Sequence, residues 1–290
     1  MSARRKVTGV FRGDGFHWVG DGFHVTNLFP SGNGLTSRLS PFLLMDYHAP
    51  YDYTPTDRAR GVGVHPHRGF ETVTLAFDGA LAHHDSTGAG GIIRPGDVQW
   101  MTAARAILHK EYHEAEWARA GGRMHMMQLW VNLPSAEKMS DPGYQPLTAA
   151  GMGRVELPHG AGEVKVIAGE YAGVRGPART FTPINLWEVR LPADGRVDMA
   201  FPAHENTALF VLEGDATANG ATAGAAELIL FENEGEDITV ESRQGAQLLV
   251  LNGEPIDEPV VFYGPFVMNT RDEIIEAVRD FEAGKFGHLV

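Results

Sequence analysis

Short apolar runs of strand length, cut off by glycine-rich turns, recur along the whole chain, and this punctuation constrains the fold more than any other feature. Phe42 to Asp46, Phe70 to Phe77, Ala106 to Tyr112 and Met126 to Leu133 are apolar throughout or alternate apolar with polar, over lengths that suit β-strands. Asp78-Gly79, Ser86-Thr87-Gly88, Gly90-Gly91 and Pro95-Gly96-Asp97 stand between them. Such stretches turn the chain because glycine accepts positive φ and Asp and Ser side chains bond back to nearby backbone. Gly accounts for 35 of the 290 residues and Pro for 17, enough for many tight turns. Many short strands with regular turns predict an all-β barrel or sandwich.

The texture changes after Leu133. Residues 134–162 hold Pro, Gly, Ser and Ala with little periodicity and read as a connecting segment on the surface, ordered in part. Strand signals resume at Val164 to Ala168, Ile184 to Leu191, Ala208 to Leu212, Glu227 to Phe231 and Gln247 to Leu251, with Glu213-Gly214-Asp215 and Asn219-Gly220 read as turns. The expected organisation is therefore two tandem barrels, residues 1–134 and 163–290, joined by residues 135–162. The second ends in a helix. Thr270 and Glu273 form a capping box, Ile274, Ile275, Ala277, Val278 and Phe281 recur at helical spacing, and Gly284 suits the stop.

Composition narrows the function classes. The 24 basic residues are outnumbered by 37 acidic ones, for a net charge of −13. A protein that grips nucleic-acid phosphates needs a basic face. The one basic cluster, Arg4, Arg5 and Lys6, reads as a solvated N-terminus, so no direct nucleic-acid contact is expected. With no cysteine, any metal must be held by nitrogen and oxygen donors. No apolar signal segment and no long apolar run stand out, so the expected setting is cytoplasmic and away from membranes.

Two residue pairs carry the chemistry. His65-Pro66-His67 is an H-x-H pair and His109-Lys110-Glu111 an H-x-E pair. In a strand, residues i and i+2 point to the same face, so each pair offers two donors side by side. Pro66 restricts its own φ and biases His65 toward extended backbone. If both strands face one barrel interior, three imidazoles and a carboxylate converge on a site for one divalent ion, Fe(II), Mn(II), Ni(II), Cu(II) or Zn(II). Other polar and aromatic residues have blander readings. His48, His83, His84 and His113 are expected as ordinary partly exposed histidines, although His113 continues the alternation from His109 and Glu111. Phe70, Trp100 and Trp130 are expected in the core, with a pocket wall as the alternative. Gln128, polar within an apolar strand, needs a partner if buried.

HPHRGFETVT at His65 to Thr74, DSTG at Asp85 to Gly88, PGDVQWMTA at Pro95 to Ala103 and QLWVNLP at Gln128 to Pro134 closely resemble the pirin family of the cupin superfamily. EPVVFYGPFVMNT at Glu258 to Thr270 resembles its C-terminal region. The resemblance runs from about Phe42 to Gly287. It implies a bicupin with one metal, in the N-terminal barrel only, held by His65, His67, His109 and Glu111. It favours Glu111 over Glu71, the position that supplies the carboxylate in many other cupins, and leaves Glu71 a supporting role.

Three imidazoles and one carboxylate leave positions open on an octahedral ion and a residual positive charge, which favours an enolate or catecholate oxygen. The resemblance implies an iron-dependent dioxygenase of the quercetin 2,3-dioxygenase kind. A flavonol-like or other enolisable aromatic substrate meets O2 there, and Glu111 acts as ligand and general base. It also implies an alternative, a non-enzymatic regulator whose protein partner responds to the redox state of the metal.

Overall fold

Each apolar run becomes a strand, and antiparallel pairing extends most of them beyond what periodicity marks. The runs above occupy Phe42–Tyr53, Phe70–Asp78, Ile107–His113 and Gly122–Asn132, and later Glu163–Ala168, Ile184–Leu191, Asn206–Ala218, Glu227–Phe231 and Ala246–Gly253. The computed structural model describes residues 3–29 and 35–289. They form two barrel units of antiparallel strands.

The unit that gathers residues 15–29, 42–149 and 256–290 carries the candidate site. Its larger sheet runs in the order Gly143–Leu147, Val98–Thr102, Phe70–Asp78, Gly122–Asn132, Phe42–Tyr53, Phe23–Phe29 and Phe16–Val19. Its smaller sheet runs Gly61–His67, Ile107–His113, Leu81–Asp85 and Gly90–Ile93. The helix Arg271–Glu282 belongs to this unit. Its capping box is formed as expected, and it buries Ile274 and Ala277 in a cluster with Phe266, Met268, Phe286 and Leu108.

The other unit gathers the described residues of 1–14, 30–41 and 150–255 around one ten-stranded sheet. Its interior is apolar, filled by residues such as Trp187, Val189, Phe201, Leu209, Phe231 and Leu248. His204 in this unit is exposed. No helix among the described residues is long and apolar enough to cross a membrane.

These units interleave along the chain, where the sequence reading drew contiguous limits at residues 134 and 163. A strand's periodicity reports which face it buries but not which strand it pairs with. Val7–Arg12 pairs with Glu227–Phe231, and the closing helix packs against the strand that bears His109. The connecting segment also splits, because Gly143–Leu147 adds an edge to Val98–Thr102.

Two local expectations are corrected. Arg5 is fully buried rather than solvated, and its guanidinium donates to the carbonyls of Phe201, Pro202, Glu205 and Gly235 and to the Thr207 hydroxyl. An always-charged, five-donor fork suits a cluster of converging carbonyls. Glu213-Gly214-Asp215 is not a turn. The strand Asn206–Ala218 runs through it with a register shift between Val211 and Glu213, and Gly214 takes φ 76° close against Gly245.

Candidate metal centre

The smaller sheet brings the two sequence pairs together. Strand Ile107–His113 lies between Gly61–His67 and Leu81–Asp85, and His109 stands directly opposite His65. A bulge follows, for Glu111 faces Val62 where regular pairing would give Gly63. The extra residue lets Val62, His65 and His67 all face the cavity while Val64 is exposed. The rings of His65, His67 and His109 form a triangle with centroids 4.2, 4.7 and 4.9 Å apart. Each offers a ring nitrogen, and these atoms lie within 4.8 Å of one another.

The protonation pattern suits ligation. The Pro265 carbonyl accepts from His67 Nδ1 at 3.3 Å and the Gly63 carbonyl accepts from His65 Nδ1 at 2.8 Å. A carbonyl only accepts, so both Nδ1 atoms carry a proton, which leaves Nε2 as the nitrogen free to ligate. Burial, reinforced by His65, pushes His67 down to about 3. Burial and the neighbouring His67, His65 and His83 hold His109 well below the usual histidine range. His109 Nε2 is buried with no hydrogen-bond partner. Buried imidazoles with depressed basicity, His67 and His109, and an unpartnered buried ring nitrogen are what a divalent cation needs, and the residues present fit such an ion.

Glu111 sits beside this triangle and forms a second triad with His109 and His83, again within 4.8 Å. Gln128 Nε2 donates to both Glu111 oxygens, at 3.0 and 2.9 Å, and the Thr74 hydroxyl donates at 3.2 Å. Gln128 thus has the partner that its polarity demanded. Glu71 is buried and accepts from the Thr102 hydroxyl at 2.7 Å. Thr74, three residues along the same strand, lines the cavity, so strand alternation turns Glu71 to the other face.

The cavity beside the triangle lies between the two sheets and measures about 230 Å³. Phe23, Val25, Leu81, Ile93 and Met126 give it an apolar wall, and Trp130 lines it next to His67. Phe70 packs on Trp130 with centroids 4.2 Å apart, while Trp100 is a fully buried core residue. Asp46 also reaches the cavity. Burial raises its carboxyl, opposed by a 2.8 Å hydrogen bond from Asn27.

Three histidines depart from the expectation of partial exposure. His48 is buried, bonded to the Tyr53 hydroxyl at 2.9 Å and pushed down to about 4 by burial. His113 is buried and donates to the Gly22 carbonyl at 2.8 Å, away from the triangle. His83 is buried against His109, with Nδ1 atoms 3.4 Å apart, and its Nε2 lies 3.3 Å from Asp85. Burial alone would raise the Asp85 carboxyl, but hydrogen bonds from His83 and Thr87 outweigh it and leave it below the usual range. His84 points outward and meets the Tyr112 hydroxyl. The missed signal is the spacing itself, since His83 and Asp85 are one more i, i+2 pair on a strand.

Comparison with known proteins adds an independent line. A family model described as Pirin matches residues 22–131, and one described as Pirin C-terminal cupin domain matches residues 186–287. A Pseudomonas aeruginosa protein named "Putative quercetin 2,3-dioxygenase" is 50% identical over 97% of this chain and 98% of its own length. A "Pirin-like protein" of Caulobacter vibrioides is 38% identical over 92% of this chain and 94% of its own. The crystal structure of a quercetin 2,3-dioxygenase from Acinetobacter baumannii superposes with a TM-score of 0.95 at 45% identity, covering 99% of this chain and 100% of that one.

Proposed function

The chain belongs to the pirin family, and on that footing we propose that it is an iron-dependent dioxygenase acting on a flavonol-like or other enolisable aromatic substrate. The observation that carries the reading is the cluster of His65, His67 and His109, with the hydrogen-bonded Glu111 next to His109, and with His65, His67 and Glu111 lining an apolar cavity. The quercetin 2,3-dioxygenase name of relatives at 50% and 45% identity supports the reaction class.

His65, His67 and His109 would hold the ion, with Glu111 as the fourth donor. When bound, the ion supplies Lewis acidity for an ionised substrate oxygen and a one-electron centre for dioxygen. Glu111 takes the substrate hydroxyl proton on a carboxylate oxygen, which prepares the enolate or catecholate. Gln128 and Thr74 hold that carboxylate in place. The Trp130 ring, backed by Phe70, orients an aromatic substrate, and the aliphatic wall excludes water from its reactive carbanion character. A cavity of about 230 Å³ is smaller than the roughly 300–1,000 Å³ of pockets that enclose drug-sized ligands. It takes the reacting ring of a polyphenol and leaves the remainder at the mouth.

Iron-loaded protein given quercetin is expected to consume O2, and Glu111→Gln is expected to lower that rate by roughly 10²-fold or more, the scale of a lost general base. Equal rates in the two proteins overturn the assignment.

A second reading has its own observation. The Pro265 carbonyl that receives the His67 proton belongs to the hairpin of Val261–Tyr263 and Phe266–Met268, which presents the exposed side chains of Phe262 and Tyr263. A change of charge beside His67 is therefore felt in a surface hairpin with an apolar face, as a redox-sensitive regulator needs. Affinity capture repeated with oxidised and reduced iron-loaded protein is expected to recover different partners under this reading. Identical partners in both states exclude it.

A further inference from the structure

The turn that follows strand Leu81–Asp85 has no part in the chemistry above, yet it fixes a buried carboxylate. Asp85 Oδ1 accepts from the Thr87 backbone nitrogen at 2.9 Å, the Thr87 hydroxyl at 2.6 Å and the Ala89 nitrogen at 3.2 Å. Only Oδ2 is left, and it meets His83 Nε2 at 3.3 Å. Both side chains are fully buried, and the Tyr144 ring stacks on His83 at 5.3 Å. The far nitrogen of His83, Nδ1, lies 3.4 Å from Nδ1 of His109, whose Nε2 is buried and unpartnered.

We propose that Asp85 and His83 form a positioning relay that sets the tautomer of His109 and so aims its Nε2 lone pair at the metal. The proposal rests on the metal-centre reading above. The carboxylate accepts the Nε2–H of His83. His83 then has a lone pair on Nδ1 and accepts the Nδ1–H of His109. That leaves the His109 Nε2 lone pair facing His65 and His67. With each imidazole neutral, every proton in the chain follows from one oxygen that can only accept. Asp85 and His83 are positioning residues and touch neither substrate nor ion.

Asp85→Asn tests this sharply. The three donors on Oδ1 hold the oxygen of the new amide, so its NH2 faces His83. His83 must then accept at Nε2 and donate from Nδ1, and His109 must accept at Nδ1 and carry its proton on Nε2, the nitrogen meant for the metal. Two measurements follow. Nitrogen NMR of metal-free protein should find His109 as the Nδ1–H tautomer in the wild type and the Nε2–H tautomer in Asp85→Asn. Zn(II) titration against a competing chelator should give one ion per chain, with affinity lower by roughly 10–100-fold in Asp85→Asn and His83→Leu. His83→Asn, whose side-chain oxygen can stand in for Nδ1 as the acceptor, should recover most of that loss. The melting temperature of metal-free protein separates these effects from misfolding.

Wild-type tautomer and affinity in Asp85→Asn overturn the relay, as does a second ion per chain bound through His83. Loss of Zn(II) affinity in the variants with no O2 uptake by the iron-loaded wild type leaves the relay standing and removes the dioxygenase assignment alone. A wild type that binds no Zn(II) removes both.

Discussion

Glu71 holds its carboxyl group in the interior, where the Thr102 hydroxyl donates to it. Burial raises it to about 7 and the Thr102 bond only partly opposes the rise. At low pH the group is protonated in both the folded and unfolded chains and costs nothing. As pH climbs through about 4.5 the unfolded chain ionises first, and stability falls until the folded group also ionises near 7. Glu71→Gln keeps an acceptor for Thr102 and removes the titration. At about pH 8 the variant is expected to exceed the wild type by on the order of 2 kcal/mol, an advantage that disappears toward pH 4. Urea midpoints at both pH values check this. A variant weakened equally at the two contradicts the account.

Strands and their inward faces were legible because a period of two is written locally and each apolar run is bounded by turn residues. The same spacing made H-x-H and H-x-E readable as paired donors. Pairing between distant strands leaves no local mark, which is why the bulge beside His109 and the burial of His48 and His113 were not readable. His48 meets the Phe23 ring edge-on, and His113 bonds Gly22, both partners lying far behind in sequence. Glu213-Gly214 shows the converse, a local turn signal that a long strand absorbs as a bulge. The segment after Leu133 shows little periodicity because its strand Gly143–Leu147 is a short edge and another of its anchors is a single side chain rather than a pattern. Lys138 is buried and donates from Nζ to the carbonyls of Gly69 and Val267 and to Asn132 Oδ1. Burial lowers its ammonium to about 8.

At the scale of the whole molecule, the unit that carries the candidate site is closed by the last part of the chain, residues 256–290. Those residues supply the Pro265 carbonyl to His67, the Val267 carbonyl to Lys138 and the Asp280 carboxylate to Arg68, at 2.9 Å. They also bury Phe266, Met268, Ile274 and Phe286 in one cluster. Four large apolar side chains at about 1.5–3 kcal/mol each make a contribution on the order of 6–12 kcal/mol, comparable to the net stability of a typical domain. A chain ending at residue 255 is therefore expected to lose the unit that carries the candidate site while the other unit, built on the described residues of 1–14, 30–41 and 150–255, which none of these contacts serves, stays folded. Calorimetry should show one cooperative transition retained near its wild-type temperature, and Zn(II) affinity should fall by far more than tenfold. A truncated chain that bound Zn(II) as tightly as the full-length protein would mean that His65, His67 and His109 are organised without the Pro265 hairpin, and the coupling between hairpin and ligand would have to be abandoned.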